Sequence, residues 1–173
     1  MPITSSDIKI HLSGGAGNTN PAASLGGVRS TTELVDNVIA NLFPNVTGSE
    51  SAAGVTHYLG IYVKNGHGSI TWESVKSWIE SQIAGGAVIT VGLDPAGVGD
   101  GVSTGVMVTI ASITTAPAGV TFSNPIDEGS SLTTGDVLTA KMYGIWLKRV
   151  VTAGTAGQAS DGADLKFKGD SAP

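Results

Sequence analysis

Alternating apolar and polar residues form the clearest pattern in this chain of 173 residues. Ile8, Ile10 and Leu12 alternate with polar positions, which predicts a half-buried strand. Residues 56–63 alternate in the same way and predict a second strand. The two faces of this strand differ, with Leu59, Ile61 and Val63 on one side and Tyr58 and Tyr62 on the other.

Shorter runs rich in β-branched residues follow, separated by Gly, Pro, Asp and Asn. They lie at residues 87–93, 106–113, 119–123, 137–151 and 163–168. About seven or eight short strands without dependable crossover helices are typical of an antiparallel β-sandwich. We therefore expect one all-β domain over residues 1–173, an immunoglobulin-like or jelly-roll-like sandwich with long Gly-rich loops.

Two segments fit more than one kind of element. Residues 32–43 have apolar positions near helical spacing and also along one strand face, and we favour extended structure because Asn37 and Asn41 weaken a helix. Residues 69–82 follow the turn "KNGHG" and fit either a short helix or a strand. The preceding strand and the short turn favour the returning strand of a hairpin, with a bulge near Glu73.

Residues 13–27, "SGGAGNTNPAASLGG", contain five glycines and one large apolar residue, Leu25. Such a segment cannot form a core of its own, and long loops without regular structure are usually functional or disordered. We expect a loop or an amino-terminal arm. An assembly arm predicts that deleting these residues leaves the domain folded and abolishes association with other subunits.

The charge composition limits the possible partners. The formal net charge is −5 and the chain has only nine Lys and Arg residues, so we expect no nucleic-acid partner, since phosphate binding depends on clustered cations. Charged residues make up 13% of the chain, about half the usual share. This low share fits either a protein that contacts other proteins or a β domain with a neutral surface.

Cysteine is absent, which excludes a thiol nucleophile, a cysteine-based zinc site and disulfide bonds. No run approaches the roughly 18 apolar residues of a membrane helix, and the first residues lack the pattern of a signal peptide. We expect synthesis in the cytoplasm, no signal peptide and no membrane partner.

No motif in the sequence indicates a cofactor. The stretch "GVGDGVSTG" at residues 97–105 lacks the lysine of a phosphate-binding loop and is interpreted as a hairpin tip. Asp94 with Asp100, or Asp161 with Asp164, offers oxygen ligands for calcium, but neither pair has the ligand spacing of a calcium-binding loop. We therefore expect neither a metal nor a cofactor.

Catalytic residues are equally hard to assign. His11, His57 and His67 are the available histidine bases, and none belongs to a nucleophile elbow or a zinc-binding spacing. The adjacent Asp127 and Glu128 lie in a predicted loop, where a solvated edge is a simpler interpretation than an acid/base couple. We expect a protein that is not an enzyme, and a hydrolase is the weakest of the functional hypotheses.

Trp72, Trp78 and Trp146 are candidates for a protein interface, because aromatic residues with a polar edge often anchor interfaces. They also fit the core of the sandwich. If the opposite face of its strand is core, Trp146 lies outward, against a neighbouring subunit or a loop. The candidate interface residues are Leu25, Trp72, Trp78, Trp146, Lys148 and Arg149.

Three blocks of the sequence carry a family resemblance: "SSDIKIHLSGGAGNTNPAASLGG", "YLGIYVKNGHGSITWESVKSWI" and "GIWLKRVVTAGTAGQASDGADLKF". Through them, nearly the whole chain resembles small virion structural proteins of tailed bacteriophages. The resemblance implies an accessory protein of the virion, most like a head decoration or cement protein. Its implied partners are the major capsid protein, other virion proteins and further copies of itself.

The alternative function is a tail or baseplate β-sandwich that binds a carbohydrate or a receptor. Such a module needs exposed aromatic side chains beside Asp and Asn, and Tyr58, Tyr62 and the three tryptophans are the candidates.

Overall fold

The computed structural model describes residues 2–36, 38, 40–158 and 161–171. These residues form nine strands and one short α-helix, α1 (Gly48–Ala53). The strands are β1 (Ile8–Leu12), β2 (Gly26–Gly27), β3 (Val55–Asn65), β4 (Trp72–Gln82), β5 (Val88–Leu93), β6 (Met107–Thr109), β7 (Leu132–Val137), β8 (Met142–Val151) and β9 (Ala163–Ser171). No helix among the described residues has the length and apolar character of a membrane span.

Two antiparallel sheets face each other. The first has the strand order β1-β3-β8-β5 and the second has the order β7-β4-β9, while β2 and β6 form a small separate ribbon. This architecture confirms the predicted all-β antiparallel sandwich. It also confirms the strands predicted at residues 8–12, 56–63, 69–82 and 163–168, including the bulge near Glu73, where Ser74 has a positive φ of 52°.

The main core lies between the two sheets and follows the alternation of the sequence. The first sheet contributes Leu59, Ile61 and Val63 from β3 and the facing side of β8, and the second contributes Val75 and Ile79 from β4. All five side chains are buried. Because each strand places every second residue on this face, the period-2 pattern is sufficient to predict the core.

A second core covers the outer face of the first sheet. Tyr62, Trp146 and Met142 project from this face and pack with Met107 and Ile110, which come from β6 and the loop after it. Two glycines in the strands make room for this layer. A Cβ at Gly60 or Gly144 would lie 2.6 or 2.5 Å from the Met107 side chain, so glycine at these strand positions marks the close approach of β6.

Residues 13–27 form a loop that packs on the first sheet. Of the two predicted alternatives, the structure therefore has the loop and not a projecting arm. The Ser13 hydroxyl donates to the Gly60 carbonyl at 2.8 Å and accepts from the Gly26 amide at 3.0 Å. The Gly60 amide in turn donates to the Ser24 carbonyl, and the Ile110 amide donates to the Leu25 carbonyl. Both serines are fully buried, so the segment completes the second core.

The predicted hairpin of β3 and β4 is wrong, although both strands exist. β3 lies between β1 and β8, so both of its edges are already hydrogen bonded, and β4 enters the other sheet between β7 and β9. Asn65 holds the crossing, because its side-chain amide donates to the carbonyls of Ile70 and Val137. The short loop therefore connects the two sheets and does not turn within one.

Three other segments differ from the predicted pattern. Residues 106–113 form a strand only at β6, and residues 119–123 contribute a single bridge, between Ser123 and Val91. β7 follows the predicted loop that contains Asp127 and Glu128, and it ends where the predicted strand at residues 137–151 begins. It was not predicted from the sequence, because "LTTGDV" has too few apolar residues to show a period.

The described residues of the segment 32–43 form neither a helix nor a regular strand. Glu33 makes an isolated bridge to His11, while Thr32 and Leu34 exchange backbone hydrogen bonds with β1. After that point the described residues form turns and bends, and Asn37 and Ile39 lie outside the described residues. The segment lines the edge of β1 and then leaves it.

Candidate functional site

The three tryptophans are buried within the chain. Their exposed fractions are 3% for Trp72, 5% for Trp78 and 0% for Trp146. Trp146 packs under the loops of the second core, as its position opposite Ile145 and Leu147 predicts. Trp78 lies on the outer face of the second sheet, where its indole Nε1 donates to Glu80 at 2.6 Å. These aromatic rings stabilise the sandwich and do not present a free contact surface.

The other predicted interface residues lie apart from one another. Leu25 is partly buried between the two cores. The Lys148 ammonium lies 5.9 Å from the centre of the Phe122 ring, and Phe122 packs at 5.6 Å against Tyr58. Arg149 points into the sandwich. The structure therefore does not bring the six residues together into one surface.

Arg149 is the centre of a buried polar cluster at one end of the main core. Its guanidinium donates to Nδ1 of His57 at 2.6 Å and to the Pro44 carbonyl at 2.8 Å, and it lies 4.7 Å from the centre of the Phe43 ring. Since arginine can only donate, Nδ1 of His57 must accept. The proton of the neutral imidazole is then on Nε2, 3.3 Å from the Glu50 carboxylate. The cluster attaches the Phe43–Pro44 segment and α1 to the sheet.

The neutral state of His57 predicts a loss of stability in mild acid. Burial and the neighbouring Arg149 lower the pKa of His57, although Glu50 opposes the shift. Because the folded pKa is below the unfolded value of about 6.5, the unfolded chain takes up more protons as the pH falls below that value. We expect the Tm to fall by several degrees between pH 7.5 and pH 5, measured by differential scanning fluorimetry.

His57→Gln keeps an acceptor for Arg149 and a donor for Glu50 but does not titrate. We expect its Tm to depend less on pH over the same range than that of the parent. An unchanged dependence would show that another group causes the acid sensitivity.

His11 and His67 are also held in structural positions. The His11 ring is 6% exposed, and neither of its nitrogens has a hydrogen-bond partner among the described residues. Burial lowers its pKa, while Glu33 raises it. Nδ1 of His67 accepts from the amides of Ser69 and Ile70 and so closes a turn. No described nucleophile lies in hydrogen-bond contact with any of the three imidazoles.

Asp127 and Glu128 serve different structural purposes. Asp127 accepts from the Ser130 amide at 2.8 Å and closes a turn. Glu128 receives Lys168 at 2.6 Å and Lys76 at 3.2 Å, and these two cations lower its pKa. The three charged residues border a polar cleft of about 330 Å³ on the outer face of the second sheet. The pair is thus a turn residue beside an ion-pair network and not an acid/base couple.

The predicted hairpin tip at residues 97–105 is instead a compact loop docked on β8. Gly99 exchanges backbone hydrogen bonds with Met142, and the Gly101 carbonyl accepts from Arg29. Asp100 accepts from the amides of residues 102–104, and these bonds lower its pKa. Its carboxylate organises the loop.

Asp94 is buried beneath that loop and accepts three hydrogen bonds. Its donors are the indole Nε1 of Trp146 at 2.8 Å, the Val108 amide at 3.0 Å and the Ala96 amide at 2.9 Å. Asp161, a member of the second carboxylate pair, accepts from the Ala87 amide. The described residues contain no group of three or more His, Asp or Glu side chains arranged to hold a metal ion.

An apolar cleft of about 260 Å³ is the feature that the sequence pattern misses. It lies where the chain leaves β1 after Leu34, and its floor includes Leu12 and Leu34. Its rim includes Val35 and Val38, which are 63% and 52% exposed and are thus among the most exposed large apolar residues described. The available signal in the sequence is that residues 32–43 are rich in apolar side chains but fit both a helical and a strand period.

Comparison of the chain with protein-family models, curated proteins and solved structures gave no match.

Proposed function

We propose that this chain is a non-enzymatic structural protein of a tailed-phage particle. In this role it decorates or cements the capsid, and its partner is the major capsid protein or another virion protein. The observation that carries the proposal is the apolar cleft with the exposed Val35 and Val38 at its rim. Exposed apolar residues that gather around a groove mark contact sites more often than scattered ones do.

The chemistry of the cleft fits a protein partner. Its lining is mainly aliphatic, and Glu33 is the single charged residue among the described residues that line it. That carboxylate lies 3.6 Å from the Lys9 ammonium, so it is already partnered. An apolar side chain of a neighbouring subunit can therefore enter without stripping water from an unpaired charge, which is the costly step in forming an interface.

The cleft is also supported by fixed structure, which reduces the entropy lost on binding. Leu12 and Leu34 belong to the paired edge of β1. The neighbouring loop is closed by Asn18, whose side chain donates to the Ser13 carbonyl at 2.6 Å, and by Ser30, which donates to the Asn18 carbonyl. The floor of the cleft and the side next to this loop are thus positioned before a partner arrives.

The test is co-sedimentation of the purified protein with phage shells that lack it. Val35→Lys combined with Val38→Lys places two charges at the cleft, and we expect binding to weaken at least about tenfold because lysine ammonium groups resist burial. A matched control is Val88→Lys with Val102→Lys, since these valines are 50% and 51% exposed but lie away from the cleft. The control should bind like the parent.

Two results would contradict the proposal. Failure of the parent protein to sediment with shells would contradict its proposed role as a structural protein of the particle. Equal binding of both double variants and the parent would show that the cleft is not part of the surface that contacts the shell.

The carbohydrate-binding alternative loses most of its candidate residues. Tyr62 and the three tryptophans are buried, so Tyr58 is the one partly exposed aromatic side chain of those that it named. Burial also raises the pKa of Tyr62 to about 12, and its hydroxyl is used inside the chain, where it donates to the Gly27 carbonyl. No second function is proposed.

A further inference from the structure

β9 is a long edge strand whose outer side has no backbone partner among the described residues. It pairs with β4 alone, at the end of the sheet order β7-β4-β9. The irregularities in this pair fall on β4, which uses eleven residues against nine in β9. β9 is therefore a regular strand, and regular open edges are sites where another strand can add.

Two hydrogen bonds show which backbone groups face the open edge. The Ile83 amide donates to the Gly162 carbonyl, so the backbone groups of residue 162 face β4. The Ile79 amide donates to the Pro125 carbonyl, on the side of β4 that faces away from β9. Leu165 is the partner of Ile79 in the register, so the backbone groups of Leu165 do not bond to Ile79. Since successive residues alternate in direction, the odd-numbered residues of β9 direct their amides and carbonyls outward.

The side chains at this edge are incompletely covered. Leu165 and Phe167 face the main core but remain partly exposed, because no strand lies beyond them. Asp164, Lys166 and Lys168 point to the other face and are exposed. An added strand would complete the burial of the two apolar residues.

The other edges of the two sheets are less suited to pairing. The edge of β1 is occupied by residues 30–34, and that of β5 is bridged by Ser123. β7 contains Gly135 with a φ of 89°, and its pairing with β4 is interrupted twice. β9 is thus the regular unpaired edge of the described sandwich.

We propose that β9 pairs antiparallel with β9 of a second copy of this chain, about a two-fold axis at Lys166. In this register Leu165 lies opposite Phe167 of the second copy. The backbone amides and carbonyls of both residues face the open edge, so the two residues can bond to each other. The two strands would exchange about eight backbone hydrogen bonds. The two second sheets would then form one continuous six-stranded sheet.

Charge complementarity favours a second copy of this chain as the partner and disfavours an axis at Phe167. Asp164 lies opposite Lys168 of the second copy, and the symmetry repeats the pair. A shift that centres the axis on Phe167 instead places Asp164 opposite Asp170 and Lys166 opposite Lys168, and like charges opposite each other are destabilising. Lys166 meets its own copy, but each Lys166 already pairs with Glu80 at 3.0 Å. An axis at Leu165 would also place Asp164 opposite a lysine, Lys166 of the second copy, but it places Phe167 opposite Ala163. The two Leu165–Phe167 pairs therefore favour the axis at Lys166.

Single-cysteine variants test the contact, because the chain has no cysteine of its own. Residue 166 of each copy would form a non-hydrogen-bonded pair with Cα atoms about 4.5 Å apart, within the range for a disulfide. Lys166→Cys should therefore form a covalent dimer under mild oxidation of the full chain. Lys168→Cys is the matched control, since its two copies would be about 13 Å apart.

A mixture of Asp164→Cys and Lys168→Cys should crosslink, while each variant alone should not. Non-reducing gels would measure the yield, and sedimentation velocity would show the parent as a dimer. A monomeric parent at its highest soluble concentration would overturn the proposal, as would equal crosslinking of Lys166→Cys and Lys168→Cys. The contact extends the proposed structural role, but this test uses no shells, so it can fail while shell binding succeeds, or the reverse.

Discussion

Replacing Asp94 with alanine is expected to lower the free energy of unfolding by about 3 kcal/mol or more. The change leaves the indole N–H of Trp146 and the amide of Val108 without an acceptor in a buried site. Each unsatisfied buried donor costs roughly 1–3 kcal/mol. The same carboxylate also accepts from the Ala96 amide. Asp94 follows β5, Val108 belongs to β6 and Trp146 belongs to β8, so the carboxylate connects these three strands.

Urea unfolding followed by tryptophan fluorescence would measure this effect. Asp94→Asn keeps the shape and one acceptor oxygen, so we expect an intermediate loss. Asp127→Ala is the control, because Asp127 is exposed and closes a local turn, and it should cost about 1 kcal/mol or less. Equal stability of Asp94→Ala and the parent would show that the buried network does not hold the second core.

Deleting residues 13–27 is expected to unfold the domain, which reverses the outcome predicted for an assembly arm. The deletion removes the carbonyl partners of the Gly60 and Ile110 amides and of the Tyr62 hydroxyl. It also removes β2 and uncovers Trp146, whose ring lies 3.0 Å from a Cβ built at Gly26. Several buried donors are left unpaired at once, and the apolar second core is exposed to water.

Circular dichroism and size-exclusion chromatography would show whether the deleted protein folds. Ser13→Ala is a graded version of the same change, since it removes one buried hydroxyl that bridges Gly60 and Gly26, and it should cost about 1–3 kcal/mol. A folded deletion variant with a Tm near that of the parent would restore the arm interpretation.

The sandwich and its main core were predictable because alternation in β1, β3, β4 and β9 reports directly which side chains face inward. Strand pairing was not. A short turn after β3 indicated a hairpin, yet both edges of β3 are occupied by distant strands. Sequence distance favours local pairing, whereas the choice between neighbouring strands depends on contacts that no local pattern records.

The second core explains most of what the sequence hid. Residues 13–27 contain few apolar side chains, so composition alone suggested a segment without a fixed place. Their position is set by hydrogen bonds such as those of the Ser13 hydroxyl with Gly60 and Gly26 and of the Ser24 carbonyl with the Gly60 amide. Hydrogen bonds of this kind have no periodicity. The glycines at residues 60 and 144 were the available sign that another layer packs closely on the sheet.

The candidate surfaces were harder still to predict. The tryptophans were interface candidates because aromatic residues with a polar edge often anchor interfaces, but all three are buried within the chain. Val35 and Val38 were not among the predicted contact residues, because residues 32–43 fit both a helix and a strand and were interpreted as extended structure. A surface cleft arises where the chain departs from regular structure, so pattern matching overlooks it.

The proposal of a virion structural role is tested most directly by a mass-spectrometric inventory of particles purified from cells in which this gene is expressed with its phage. We expect the chain to co-purify with the major capsid protein at a constant copy ratio through successive density gradients. Its presence in the cell lysate together with its absence from the purified particles would contradict the proposal.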